Sequence, residues 1–214
     1  AQPFSQQRLL VQLERYNNFI QLPHLIEEMR LMDYTSPLPN YYIAMQMGKL
    51  SQANAYHTSG LNGLISNSQA DMQFWRMALI DSQVLLGKMV TIAALRRNLS
   101  ALSYAISKET ELSPTQAQSL QALLKPLTPE EVSIDKSLTG ELRFSAENWK
   151  TAPKETPEGI SPIMWLLYQP AATSNLTYRH TIKPNFAMSK MSAPEFYERA
   201  QTPIKPIEYS RFNP

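Results

Sequence analysis

Three histidines occur in the chain, and one of them lies near acidic residues at helical spacing. His24 and Glu28 are four residues apart, so on a helix they share one face with Glu27 beside them. A histidine and a carboxylate at this spacing can relay a proton or form a plain ion pair on a helix surface, and we favour the ion pair. His57 and His180 have no second histidine at the spacing of a metal site.

Acidic residues occur in close pairs, and carboxylates are the groups that many general acid–base catalysts use. The pairs are Glu27/Glu28, Glu109/Glu111 and Glu130/Glu131. Catalytic carboxylates face each other from separate elements, whereas neighbours on one helix point apart. Glu131 follows Thr128 by three residues at the start of a helical pattern, which predicts a capping box. We therefore predict no catalytic residue.

Composition excludes several further kinds of site. The chain has no cysteine, which removes thiol nucleophiles, disulfides, zinc–thiolate sites and iron–sulfur clusters. The segments that begin at Gly48 and Gly87 lack the glycines and the Ser/Thr of a phosphate-binding loop. Because 20 basic residues nearly balance 18 acidic ones, no basic surface for nucleic acid is expected. We expect no cofactor, no metal and no nucleic-acid partner.

The side chains best suited to binding are aromatic residues and arginines. Trp75 and Arg76 follow Phe74 in an apolar helical pattern, which is typical of core residues with an arginine stacked beside them. Arg96 and Arg97 lie near the end of the same pattern, where they suit the negative end of a helix or a phosphate or lipid headgroup. The candidate partner or ligand contacts are Trp75, Arg76, Arg96, Arg97 and Trp165.

Apolar residues at spacings of three and four predict helices over most of the first 150 residues. An amphipathic helix covers residues 4–21, and a second helix covers 40–66, where Gly60 and Gly63 end or bend it. Residues 67–71 then supply polar capping groups. The strongest pattern runs from about residue 70 to 107 and is apolar nearly all round, which is typical of a helix buried among other helices.

Two shorter helices and a different C-terminal segment complete the expected fold. The helices begin after caps at Ser113 and Thr128. Nine of the 16 prolines then lie in the last 64 residues. We predict an all-α, irregular bundle of five to seven helices in a domain over 1–150, with a mostly extended, Pro-rich segment over 151–214 packed on it. Short helices are expected at 161–168 and 194–200, and the last dozen residues are expected to be mobile.

The start of the chain and its hydropathy bear on location. No apolar run in the sequence is long enough to span a membrane, so we place any anchor outside this chain. The chain begins Ala-Gln-Pro without an initiator methionine. This start fits a trimmed segment and equally a mature segment that follows a signal or an anchor. Zero cysteine also suits a cell-envelope protein, with a cytoplasmic location as the alternative.

Several stretches resemble a group of uncharacterised proteobacterial envelope proteins. They are residues 74–76 (Phe-Trp-Arg), 88–89 (Lys-Met), 93–99 (Ala-Ala-Leu-Arg-Arg-Asn-Leu), 127–131 (Leu-Thr-Pro-Glu-Glu) and 168–175. The last stretch is similar to the C-terminal signature of the group, except that Ala171 stands where asparagine is expected. The resemblance covers most of residues 5–178. It implies a membrane anchor that precedes a periplasmic helical domain, and it implies no activity.

Three function hypotheses follow from the sequence. The first is a non-enzymatic envelope protein that binds a protein partner through a helical groove or the C-terminal segment. The second is a carrier of an apolar small molecule or lipid, for which ten methionines could line a cavity. The third is a hydrolase-type enzyme that uses carboxylates. We favour the first, because no group of residues has the arrangement of a catalytic site.

Overall fold

The structure of the chain, a computed structural model, describes residues 6–25, 40–151 and 169–202. These residues contain helices and no strand, which confirms the predicted all-α class. In chain order the elements are α1 (Gln6–Phe19), α2 (Tyr41–Asp81), α3 (Leu85–Ile106), α4 (Pro114–Leu123), α5 (Pro129–Val132), α6 (Asp135–Thr151), α7 (Pro170–Thr177), a π-helical turn (Tyr178–Ile182), α8 (Lys183–Met188) and α9 (Ala193–Gln201). None of these helices is long and apolar enough to cross a membrane.

The described residues form two compact units. The first unit holds residues 6–25, 40–82 and 86–132, and in it α2 packs against α1, α4 and α5. The second holds 83–85, 133–151 and 169–202, and in it α6 packs against α7, the π-helical turn and α8. The sequence predicts a boundary at residue 150, whereas α6 groups with the C-terminal helices.

The single helix predicted over 70–107 is two helices. α2 ends at Asp81, and α3 begins at Leu85. Lys88 Nζ donates to the Leu79 carbonyl oxygen (2.8 Å), so a side chain from the first turn of α3 reaches back to the last turn of α2. The apolar pattern continues through the break because both helices bury apolar residues in the same unit. Residues 67–71, expected to cap a helix, lie inside α2.

A kink divides α2, as the two glycines predicted. Ser59 and Gly60 leave helical geometry, and Gly60 has φ 58° and ψ −147°. This backbone conformation is open to glycine and strained for other residues. The bend therefore lies at the first of the two candidate glycines.

The mostly extended character predicted for the C-terminal segment is wrong over the described residues 169–202. α7, α8 and α9 each carry a proline in the first turn. Proline is tolerated there because the first-turn N–H groups have no partner within the helix. The prolines therefore begin helices here, and α9 confirms the short helix expected at 194–200. Residues 152–168 and 203–214, which include Trp165, lie outside the described residues.

Candidate functional site

Six side chains from α1, α2 and α3 form a buried polar cluster in the first unit. We call it the Asp71 cluster; its members are Tyr16, Gln52, Asp71, Trp75, Arg97 and Asn98. Asp71 and Asn98 are almost fully withdrawn from solvent, and so is Trp75. Phe74, next to Trp75, packs edge-on against Phe19 of α1 with 4.6 Å between ring centroids.

Each carboxylate oxygen of Asp71 accepts two hydrogen bonds. Oδ1 accepts from the Tyr16 hydroxyl and from Trp75 Nε1 (3.1 Å). Oδ2 accepts from Arg97 Nη2 and from Asn98 Nδ2 (2.6 Å). The carboxylate is therefore saturated by donors of its own chain, and it has no free oxygen to offer a substrate or a metal.

Further contacts fix the donors of the Asp71 cluster. Gln52 Nε2 donates to Asn98 Oδ1 (2.6 Å), which orients the Asn98 amide toward Asp71. Arg97 Nη2 also donates to the Tyr16 hydroxyl oxygen (3.1 Å). Burial, together with the nearby Asp71 carboxylate, raises the pKa of Tyr16 above its ordinary value of 10.0. Tyr16 thus stays protonated and remains a donor, so the cluster is a structural tie between three helices.

A second polar tie joins α2 to the start of α5. Arg76 Nε and Nη2 donate to the two carboxylate oxygens of Glu131 (2.6 and 2.8 Å). The same guanidinium donates to the carbonyl oxygens of Lys125 and Pro126 (2.8 and 2.9 Å). Glu131 also accepts from the Thr128 backbone N–H (2.6 Å) in the predicted capping box. Its hydrogen bond to Arg76 is the main reason why the pKa of Glu131 lies below the ordinary value of 4.5.

The histidines lie on the surface and do not contact the buried ionisable groups. His24 Nδ1 lies 3.4 Å from Asp81 Oδ2, and its side chain is mostly exposed. His24 and His57 are both surface residues, whereas Glu131 and Lys88 are buried elsewhere in the first unit. No group of three or more His, Asp or Glu residues that could hold a metal ion occurs in the part of the chain that the structure describes.

α3 carries apolar residues on both sides, but the fold buries only one side. Its buried side includes Thr91, Ala94, Asn98 and Leu102. Its opposite side leaves large apolar side chains in solvent, and four of them between residues 86 and 99 have exposed fractions between 42% and 66%. Together with Arg96, which lies among them and is also exposed, they form what we call the α3 face: Leu86, Met89, Ile92, Arg96 and Leu99.

The spacing of the α3 face is that of one helix surface. Its positions follow one another by three, three, four and three residues, so they are aligned along one side of α3. The sequence predicted burial for this region, and the exposure of the face corrects that prediction. A contiguous exposed apolar surface of this kind marks an interaction site more often than a scattered set of apolar residues does.

An open groove of about 830 Å³ lies beside α4 and the end of α3. Its lining is largely aliphatic, with Ile106, Leu112, Leu120 and Leu124 among the lining residues. Neither a methionine nor a tryptophan belongs to that lining. The methionine-lined cavity that would favour a carrier is therefore not this groove.

The structure separates the five candidate contact residues. Trp75 and Arg97 belong to the buried Asp71 cluster, and Arg97 lies in the middle of α3 rather than at its negative end. Arg76 binds Glu131 rather than stacking on the aromatic core. Arg96 lies on the α3 face. Trp165 lies outside the described residues.

Sequence reasoning missed most of the Asp71 cluster. The sequence pattern places Asp71 in a helix cap and gives Tyr16, Gln52 and Asn98 no polar role. One signal was present: Asp71 and Trp75 are four residues apart on an otherwise apolar stretch, so they share a buried face. A lone acid on such a face needs a cationic partner, but the sequence does not say which of the arginines supplies it.

Comparison of the chain with protein-family models, with curated proteins and with solved structures found no match. The resemblance to envelope proteins therefore stays a prediction.

Proposed function

We propose that the chain is a non-enzymatic cell-envelope protein that binds a protein partner through the α3 face. The observation that carries the proposal is the row of half-exposed apolar side chains on a helix whose other side is buried. The envelope location rests on the sequence resemblance and on the absence of cysteine.

The free energy available from the α3 face is modest. Full burial of a Leu, Ile or Met side chain is worth about 1.5–3 kcal/mol, so covering the exposed half of each of the four yields roughly 4 kcal/mol in total. Association costs about 4–15 kcal/mol in lost freedom. Apolar contact alone therefore cannot hold a partner, and the partner must add contacts around the face.

A membrane surface suits the α3 face less well than a protein does. Binding to anionic lipid through charge takes a cluster of about four to eight Lys or Arg residues. Arg96 is the one cationic member of the α3 face, since the neighbouring Arg97 is bound to Asp71. A protein partner can match a single cation within an apolar row, whereas a lipid surface gains little from it.

The open groove beside α4 supports a second candidate, an apolar small molecule or lipid bound by a carrier. Its aliphatic lining suits such a ligand, and the volume of about 830 Å³ is in the range of small-molecule sites. The groove offers few polar groups to orient a ligand, which is why we rank this function second.

Photo-crosslinking in the cells that produce the chain tests the proposal. A photo-reactive amino acid at position 89 is expected to give one discrete adduct, which mass spectrometry identifies as a protein. The same amino acid at the exposed position of Leu50, on α2, is the control and should not give that adduct. The adduct should disappear when Ile92→Glu and Leu99→Glu are added. An adduct to lipid, or one that survives these substitutions, contradicts the proposal.

The location is tested in the same experiment. Cell fractionation should place the adduct with periplasmic or membrane material. Recovery of the adduct in the cytoplasmic fraction would refute the envelope location while leaving the binding face intact.

A further inference from the structure

We infer that the partner of the α3 face is an amphipathic helix that presents a carboxylate to Arg96. The inference rests on the proposed function and deepens it. Three features support it: the shape of the α3 face, its single positive charge, and the lack of a carboxylate on the α3 face of a second copy of the chain.

The shape of the α3 face suits a helix. The face runs from Leu86 to Leu99, which is about 20 Å along the axis of α3 or nearly four turns. Side chains at spacings of three and four form a ridge that interdigitates with the corresponding ridge of a second helix. A helix of about 12–15 residues with apolar positions at the same spacing would cover the whole face.

The charge of the α3 face is unbalanced. Arg76 and Arg97 each bind a carboxylate within the first unit. For Arg96 the structure shows neither an ion pair nor a hydrogen bond within the described residues. A helix laid over the α3 face removes water from around this guanidinium, and a buried charge without a partner is strongly unfavourable. The occupant must therefore supply an anion at that point.

A carboxylate is the group that a protein helix can supply. The planar guanidinium binds Asp or Glu through two parallel hydrogen bonds, which fixes the position of the acid along the helix. The partner helix is thus expected to carry one acid flanked by apolar residues three and four positions away.

A second copy of the chain does not meet this requirement. Two identical α3 faces packed together would place two arginines in one interface. The α3 face carries no carboxylate of its own, so neither guanidinium would find an anion on the opposing face. The face therefore fits a different helix better than it fits itself.

Selection from a displayed library of random 15-residue helical peptides tests the inference. Peptides enriched on the full chain should share an apolar pattern at spacings of three and four with one Asp or Glu between the apolar positions. Replacing that acid by alanine should weaken binding at least about tenfold. Selection on the Arg96→Glu variant should replace the acid by Lys or Arg, and Arg96→Lys should keep the acid.

The outcomes separate the two proposals. One outcome is that enriched peptides lose binding to Ile92→Glu and yet show no preference for an acid. That result would refute the carboxylate that we infer for the partner, but it would agree with the proposed docking at the α3 face. Peptides that bind equally to the wild type and to Ile92→Glu, or no enrichment at all, overturn both. Binding to phosphatidylglycerol vesicles that is lost with Arg96→Ala also overturns both, because the occupant would then be a membrane.

Access to the α3 face is checked with a single cysteine. Because the chain contains none, Met89→Cys reacts with a maleimide at one known site. We expect a labelling rate within about threefold of that of Leu50→Cys, an exposed control on α2. Labelling slower by a factor of about 100 would show that another part of the chain covers the face, and it would overturn the inference.

Discussion

Asp71 and Arg97 form an ion pair that is almost entirely withdrawn from water, with side-chain exposures of 1% and 7%. Such a pair is favourable only when further hydrogen bonds satisfy both groups. Tyr16, Trp75 and Asn98 supply them on the side of the carboxylate. The first unit therefore depends on each member of the pair far more than on any exposed charge.

Substitution of Asp71 by asparagine should destabilise the chain strongly. Asp71→Asn leaves the buried Arg97 guanidinium without its anion, and the expected loss is about 3–5 kcal/mol in the free energy of unfolding. Urea denaturation followed by tryptophan fluorescence measures it. Asp81→Asn is the control and should cost about 1 kcal/mol or less, since its partner His24 is exposed. Equal losses for both variants would refute the role of the Asp71 cluster.

Gly48 lies against the guanidinium of Arg97. A Cβ at this position would lie closer to Arg97 Cζ than real Cβ contacts allow. In a helix, Gly→Ala is otherwise favourable by about 1 kcal/mol. We therefore expect the opposite sign here, a loss of about 1–3 kcal/mol for Gly48→Ala in urea denaturation. In an Arg97→Met background the same change should be neutral or stabilising, and an unchanged loss there would contradict the explanation.

At the scale of the element, the kink in α2 depends on one residue. The conformation of Gly60 is strained for any residue with a Cβ, although space around it is open. Gly60→Ala should therefore cost about 1–3 kcal/mol through backbone strain alone. Ser59→Ala, one residue earlier, should stay within about 0.5 kcal/mol of the wild type in the same urea titration. A stabilising effect of Gly60→Ala would mean that α2 is straight in solution.

α3 shows why an apolar pattern does not by itself establish burial. Both sides of the helix carry apolar residues, but neighbouring elements cover the side with Leu102 and leave the α3 face open. The side chains of the α3 face are only about half buried, so they contribute less to the core than Leu102 does. We propose partner binding, rather than stability, as the reason for their exposure.

At the scale of the whole molecule, the Arg76–Glu131 ion pair makes the free energy of unfolding depend on pH in the acidic range. Because the folded-state pKa of Glu131 is lowered, its contribution is fully present above the ordinary value of 4.5 and is lost as the pH falls through the folded-state value. Between pH 6 and pH 3 the wild type should thus lose more stability than Glu131→Gln does. Urea denaturation at each pH measures both chains.

The control for this acid dependence is the neighbouring residue. Glu130 is exposed, so Glu130→Gln should keep the acid dependence of the wild type. At pH 6, Glu131→Gln should itself cost about 2–3 kcal/mol, because it weakens a charge-assisted pair with two hydrogen bonds. Parallel pH profiles for the wild type and Glu131→Gln would show that other acids control the response.

The sequence by itself determined the features that depend on a few neighbouring residues. The helical class, α1, and the caps at Ser113 and Thr128 follow from apolar spacing and from side chains that bond to backbone groups three residues away. The prolines of the C-terminal segment do not by themselves distinguish a helix start from an extended segment, because both favour proline.

Only the tertiary structure decided the features that depend on distant residues. Asp71 is hydrogen-bonded to Tyr16, 55 positions away in the sequence, and to Arg97, 26 positions away. No local sequence pattern predicts which buried donor pairs with which acceptor. The break between α2 and α3 and the exposure of the α3 face have the same origin. The sequence does not distinguish an apolar side chain that another helix covers from one that is exposed. Burial depends on the surrounding elements and not on the residue type.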